Sequence, residues 1–151
     1  MAAHTFQTPL GQLSVIEQDG ALTDIRWSSV GDPDATPLLL EAERQLTAYF
    51  KHELEVFDLP LRPHGDVFQQ SVNDQMRAIP FGQTVEYGQI AKSLGSMPQP
   101  VGNACGKNSI PIVIPCHRVV GATGLGGFSA PGGVETKVAL LKHESAYGLL
   151  I

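Results

Sequence analysis

Residues 109–121 read SIPIVIPCHRVVG. Ile110, Ile112, Val113 and Ile114 are branched and apolar, and together they predict a short buried strand. Pro111 and Pro115 bound the run, and their missing amide donors argue against an ordinary central position in a ladder. Cys116, His117 and Arg118 follow at once, so a nucleophile, a base and a cation stand side by side where buried backbone ends. The rest of the chain has to say which chemistry this is.

The chain has 151 residues, 42% of them hydrophobic, enough for one sizeable domain or two small ones. The N-terminal MAAHTFQTPLG lacks the basic start and apolar core of a secretory signal, and no apolar run approaches the roughly 20 residues of a bilayer span. A soluble cytoplasmic protein with no membrane partner is expected. Cys105 and Cys116 are too few for a disulfide framework, and a reducing compartment would leave both as thiols. The net charge of −5 argues at first against nucleic acid. The acidity is uneven, however: residues 1–65 carry ten Asp/Glu against four Lys/Arg, and residues 66–151 carry five against six. Only the nearly neutral second half suits contact with DNA.

Residues 4–27 alternate in short strand-like pieces, with turn signals at Pro9 to Gly11 and at Asp19-Gly20, and predict a β-meander. Leu39, Ala42, Leu46, Tyr49 and Phe50 recur at helical spacing behind Pro37, predicting one amphipathic helix over 38–51. The segment LEVFDLPLRPHGD reads as a strand and then a linker, with a boundary near residue 65 marked by Pro60, Pro63 and Gly65. Beyond it the pattern is helical. Asp66 caps a helix that Pro80 stops, with Phe68, Val72, Met76 and Ile79 on one face. TVEYGQIAKSLG begins a second helix ended by Gly95, and SMPQPVGNACGKN a third, with Ser96 as its cap and Pro98 in its first turn. This pair is a helix-turn-helix candidate, although plain helix packing gives the same pattern.

The third helix holds Gly102, Ala104, Cys105 and Gly106, and interior glycines cost about 1 kcal/mol each relative to alanine. Close approach to a helix neighbour would explain them. So would entry into a DNA minor groove, about 6 Å wide, which admits a helix only if its side chains are small and the groove is widened.

A cysteine attacks as thiolate and needs a base or positive field to lower its pKa. His117 is adjacent, and Pro115 makes a break in the strand that lets the two cooperate directly or through a water. Glu144, in VALLKHE, is a candidate to orient the imidazole from a helix whose Val138, Ala139 and Leu141 face the core. The histidines His4, His52, His64, His117 and His143 are scattered and the cysteines lack paired-ligand spacing, so no metal is expected. GATGLGGFSAPGG, residues 121–133, lacks the strand-loop-helix context of a phosphate loop and reads as a wall over a pocket.

IPCHRVVG, with FGQTVEYGQIA upstream and GGVETKVALLKHE downstream, resembles the O6-alkylguanine-DNA alkyltransferases, also called methylated-DNA-protein-cysteine methyltransferases. The resemblance covers nearly the whole chain and is most specific from about residue 66. It implies a mixed α+β (α/β) fold: a small ribonuclease-H-like sheet domain with one helix over 1–65, then a mostly helical, winged helix-turn-helix-like domain over 66–151 that binds DNA and accepts the alkyl group. It implies a monomer that needs no cofactor and works on double-stranded DNA through the minor groove.

By the same resemblance, Cys116 takes the alkyl group from O6-alkylguanine, and from O4-alkylthymine, in one irreversible displacement after the base is flipped out. His117 deprotonates Cys116 through a water, Glu144 holds His117, and Asn108 braces the cysteine segment. Tyr87 helps turn the lesion out and donates a hydrogen bond to guanine N3. The carbonyls of Cys116 and Val119 accept from the guanine amine, and Phe128 and Ser129 line the pocket. Gln99, Pro100, Val101, Gly102 and Ala104 form the DNA-contacting helix. Arg118 binds backbone carbonyls around the site.

The sequence departs from the family pattern at Gln99, where an arginine usually fills the hole left by the flipped base. Glutamine is shorter and uncharged, which predicts weaker binding or slower flipping. It also keeps open a lesion sensor of the same fold with weak or no transfer. Phe128 stands where tyrosine is usual, and the cysteines of the zinc site found in some members are absent. A Cys-His-Glu hydrolase is the reading from another class, distinguished by multiple turnovers.

Overall fold

A computed structural model describes residues 1–30 and 34–146. The chain falls into two compact units, Met1–His64 and Gly65–Ile151. Among the described residues no helix is long and apolar enough to cross a membrane.

In the first unit β1 (Ala2–Thr8), β2 (Gly11–Gln18) and β3 (Ala21–Arg26) form an antiparallel sheet in that order. The β2–β3 turn is Asp19-Gly20, with φ of 53° and 80°, the left-handed pair that a two-residue hairpin requires. Helix α1 (Pro37–Phe50) starts at Thr36, whose hydroxyl accepts from the Leu39 amide at 3.2 Å. Its stripe of Leu39, Ala42, Leu46 and Tyr49 is fully buried, as are Leu13, Val15 and Leu22 of the sheet. Each such leucine contributes about 1.5–3 kcal/mol of burial, so Leu46→Ala would open a cavity under the sheet.

The strand expected within residues 54–61 does not form. A single parallel bridge joins Leu61 to Leu22, because Pro60 and Pro63 offer no amide hydrogens. The peptide of Asp58 is instead held by the buried Gln45 carboxamide, which donates to its carbonyl and accepts from its amide, both at 2.9 Å.

The second unit contains α2 (Val67–Arg77), β4 (Val85–Glu86), α3 (Tyr87–Leu94), α4 (Pro98–Gly106), a one-turn 3-10 helix (Cys116–Arg118), β5 (Val119–Val120) and α5 (Val134–His143). Asp66 caps α2 by accepting from the Gln69 amide at 2.8 Å. The buried face of α2 carries Gln69, Val72, Asn73 and Met76, so Gln69 rather than Phe68 is innermost. The Gln69 carboxamide spans to α4 and donates to the Ala104 carbonyl at 2.8 Å.

Between α3 and α4 the cap differs from expectation. The Ser96 amide bonds back to the Ala91 carbonyl at 2.8 Å, closing α3 with Gly95 left-handed at φ 64°. Met97, extended as a residue before proline must be, becomes the N-cap of α4. The parallel pairing of Val85 and Glu86 with Val119 and Val120 was not foreseen, since two residues per strand leave no periodicity to read.

The largest correction concerns residues 110–114, which are buried but form turns rather than a strand. Val113 N–H bonds to the Pro111 carbonyl, Ile114 N–H to Ile110, and Cys116 N–H to Ile114. Ile112 sits at φ 72°, where a β-branched residue is strained by about 1–3 kcal/mol. The two prolines prevent a ladder, and local bonds satisfy the peptides that a ladder would have taken.

Candidate active site

The turns at 110–115 aim Cys116 at a cavity of about 390 Å³ lined by Tyr87, Gln99, Gly102, Asn103, Cys105, Gly106, Cys116, Gly127, Phe128 and Ser129. Asn108 braces this approach from both ends: its amide donates to the Ile114 carbonyl at 2.7 Å, and its oxygen accepts from the Ile110 amide at 3.0 Å. Burial pushes the Cys116 thiol pKa up, and the Asn108 side-chain hydrogen bond and the Lys137 charge oppose that rise.

His117 is fully buried behind the thiol. Its Nε2 lies 2.7 Å from Glu144 Oε2. A carboxylate accepts only, so Nε2 carries the hydrogen and Nδ1 keeps a lone pair, with no hydrogen-bond partner among the described residues. Burial lowers the His117 pKa, against the upward pull of Glu144, so the imidazole rests neutral. Burial by itself would raise Glu144, but hydrogen bonds from His117 and Arg118 more than offset it and hold the carboxyl below its usual range.

Arg118 does more than bind backbone. Its Nη1 donates to the Ile79 carbonyl at 2.7 Å, while Nε and Nη2 donate to the two Glu144 oxygens at 2.8 and 2.9 Å. Glu144 stands just past the end of α5, whose inward residues are Lys137, Leu140 and Leu141 rather than Val138 and Ala139.

Of the residues expected in the site, Tyr87, Gln99, Gly102, Cys116, Phe128 and Ser129 line the cavity together. Pro100 is exposed beside them. Val101 and Ala104 are buried, at 0% and 4% exposure, and turn into the unit, so their side chains are not on the outer face of α4. The Val119 side chain is likewise buried, and its carbonyl accepts from Lys137 Nζ at 2.7 Å. Burial, with the two thiols nearby, raises the Tyr87 phenol to about 12, so it keeps its hydrogen.

Four cavity residues, Asn103, Cys105, Gly106 and Gly127, are not assigned to the site by the sequence, and neither is Lys137 behind the wall. Lys137 had a signal: it lies seven residues before Glu144, on the same helical stripe with Leu140 and Leu141 between them.

A buried thiol beside a neutral, carboxylate-held imidazole, facing a cavity of ligand size, is suited to nucleophilic attack on a carbon presented through the opening. Comparison with known proteins defines the group. Residues 1–63 match the family model for the ribonuclease-like domain of 6-O-methylguanine DNA methyltransferase, and residues 67–146 match that for its DNA binding domain. The chain belongs to this family of enzymes, and its fold is the small N-terminal sheet domain plus helical DNA-binding domain expected from the resemblance. Within the family it is similar to proteins named methylated-DNA–protein-cysteine methyltransferase. That of Methanosarcina acetivorans is 38% identical over 93% of this chain and 96% of its own length. The constitutive protein of Bacillus subtilis is 37% identical over 93% of each. The crystal structure of Mycobacterium tuberculosis OGT in complex with DNA superposes with a TM-score of 0.86 at 38% identity, over 97% of this chain and 94% of that one.

Proposed function

We propose that this chain repairs O6-alkylguanine, and O4-alkylthymine, in double-stranded DNA by taking the alkyl group irreversibly onto Cys116, once per molecule, as a cytoplasmic monomer. Residues 66–151 bind the DNA and accept the alkyl group, while residues 1–65 form a separate α/β domain. The observation that carries the reading is the buried His117–Glu144 pair at 2.7 Å behind a cysteine that opens onto a cavity.

The proton path follows from the tautomer. Nδ1 of neutral His117 accepts the Cys116 proton through a bridging water, and the resulting imidazolium is held by Glu144. The thiolate attacks the alkyl carbon, the S–C bond forms as the C–O6 bond breaks, and the electron pair stays on guanine. The Tyr87 phenol donates to the charge that develops there.

The base must be flipped to reach the cavity. α4 is the element proposed to enter the minor groove. Its outer face presents Pro98, Gln99, Pro100 and Asn103, all exposed. A Cβ added at Gly102 would make only ordinary contact with the Tyr87 ring at 4.0 Å. Packing within the chain therefore does not demand this glycine, which supports a role in keeping the helix surface low for DNA.

Gln99 supports a second reading, a lesion sensor with weak or no transfer, because an exposed uncharged side chain stands where the family has its arginine. One experiment separates the two. With a duplex containing O6-methylguanine, a single turnover leaves one methyl on Cys116, whereas a sensor binds the duplex and stays unmodified.

A further inference from the structure

α4 turns one stripe toward the cavity: Gln99, Gly102, Asn103 and Gly106 all line it, at the spacing that puts residues on one helix face. Val101 and Ala104, on the other side of the helix, are buried. Two side chains therefore stand up from the stripe, both carboxamides and both exposed. Gln99 already has a place, at the hole left by the flipped base. Asn103 has none.

Other carboxamides of this unit are engaged within the chain. Gln69 donates to the Ala104 carbonyl, Gln89 accepts from the Glu86 amide at 2.8 Å, and Asn108 bridges Ile110 and Ile114. Among the described residues the Asn103 side chain makes no hydrogen bond, although its backbone carbonyl accepts from the Lys107 amide at 3.2 Å. An acceptor and two donor hydrogens thus stand open at the cavity mouth, one helical turn on from Gln99. Four residues of α-helix advance about 6 Å, and a DNA strand advances about 3.4 Å per base. With Gln99 at the vacated position, Asn103 faces a base pair one or two steps along.

The two kinds of base pair differ there. The minor-groove edge of A·T offers only acceptors, whereas G·C adds the guanine N2 amine as a donor. On G·C a carboxamide can accept from that amine and donate to the N3 or O2 beside it. On A·T its oxygen meets no donor.

We propose that Asn103 is a specificity-determining residue for repair: it reads the minor-groove edge of a base pair beside the lesion and favours a pair that carries the purine N2 amine. The inference rests on the transfer and the minor-groove approach of α4 proposed above. It gives the chain a preferred context, lesions beside G·C, that the chemistry at Cys116 does not set. One added neutral hydrogen bond is worth about three- to tenfold. Phosphate contacts from the exposed Lys92 or Lys107 would carry no such preference.

The test measures the second-order rate of methyl transfer from O6-methylguanine duplexes in which the first or second neighbouring pair on either side is G·C, inosine·C, A·T or diaminopurine·T. Inosine removes the amine from a G·C pair and diaminopurine adds it to an A·T pair, and neither alters the major-groove edge. The amine also stabilises the duplex, so each ratio is compared between the parent and Asn103→Ala, a helix-favouring change at an exposed position. Fluorescence anisotropy of the same duplexes with Cys116→Ser, with and without Asn103→Ala, gives the preference in the absence of transfer. At one position on one side of the lesion, amine-bearing pairs should be favoured about three- to tenfold in rate and affinity, and Asn103→Ala should remove that factor. Asn103→Asp, which keeps the acceptor, should retain the ranking at lower overall affinity. No ranking in the parent, a ranking that survives Asn103→Ala, or a loss equal in every context would overturn the proposal. An equal loss would place Asn103 on the phosphate backbone or on the flipped nucleotide instead. A parent that transfers no methyl defeats the function reading, and the Cys116→Ser affinities still decide for or against Asn103.

Discussion

Replacing Glu144 by glutamine exchanges one oxygen for an amine at the centre of a buried network. The carboxylate accepts from His117 Nε2 at 2.7 Å and from Arg118 Nε and Nη2 at 2.8 and 2.9 Å, at 3% exposure. A carboxamide has one oxygen for these three donors, and its own NH2 must point at another N–H. Arg118, 5% exposed, keeps its charge with the Ile79 carbonyl as its remaining hydrogen-bond acceptor among the contacts described and the Phe81 ring 5.8 Å away. Breaking a buried ion pair from one side costs about 3–5 kcal/mol, a large share of the roughly 5–15 kcal/mol that holds a domain together. Glu144→Gln should therefore lower Tm by the order of 10–20 °C and shift the urea midpoint by the corresponding amount at unchanged slope. Removing both charges with Glu144→Leu and Arg118→Met should recover at least about 2 kcal/mol relative to the sum of the single losses. A loss below about 1 kcal/mol for Glu144→Gln, or single losses that simply add, would refute the claim that this network is a coupled, desolvated unit.

Gln99→Arg should raise the second-order repair rate by about tenfold, the worth of one charge-assisted hydrogen bond, and steepen the salt dependence of duplex binding by about one counterion; an unchanged rate refutes the role given to position 99. Because burial lowers the His117 pKa, the unfolded chain takes up a proton below about pH 6.5 that the native one refuses. Stability should thus be fully present above that pH and fall on acidification by up to about 1.4 kcal/mol per unit. The depressed Glu144 carboxyl adds a second loss below its unfolded pKa of about 4.5, and urea titrations of the parent and His117→Asn would show the first slope only in the parent. Gly126→Ala should reduce transfer at least about tenfold by displacing Tyr87, given the 2.6 Å clash and φ of +75°. Gly88→Ala in α3, with nothing within 4 Å of the added Cβ, should leave stability unchanged or raise it by up to about 1 kcal/mol in thermal melts.

The hairpins and the amphipathic helices were legible because each is written locally. Asp19-Gly20 supplies its own left-handed turn, and the stripe from Leu39 to Tyr49 marks its own face. Residues 110–114 show the limit of that reading. Composition says buried, and they are, but Pro111 and Pro115 forbid the ladder and the path of the backbone is set by Asn108 and by turns that no periodicity announces. Cys116, His117 and Glu144 stood out as residue types, and the resemblance joined them. What the sequence hid was the charge network behind them. Lys137 looks like a surface cation until its acceptors are counted, and Arg118, read as a binder of backbone carbonyls, also holds Glu144; the acceptors of the two come from Ile79, Tyr87, Val119, Gly127 and Glu144, scattered along the chain. Burial of a cation is a property of the assembled fold, so only the seven-residue spacing from Lys137 to Glu144 offered a hint.

The central claim is that Cys116 is the alkyl acceptor. The most direct measurement is the intact and peptide mass of the protein after incubation with a duplex containing O6-methylguanine. The account predicts one added methyl per molecule, located on the Cys116 peptide and absent from Cys116→Ser. A methyl on Cys105, or an unmodified protein that still binds the duplex, would contradict it.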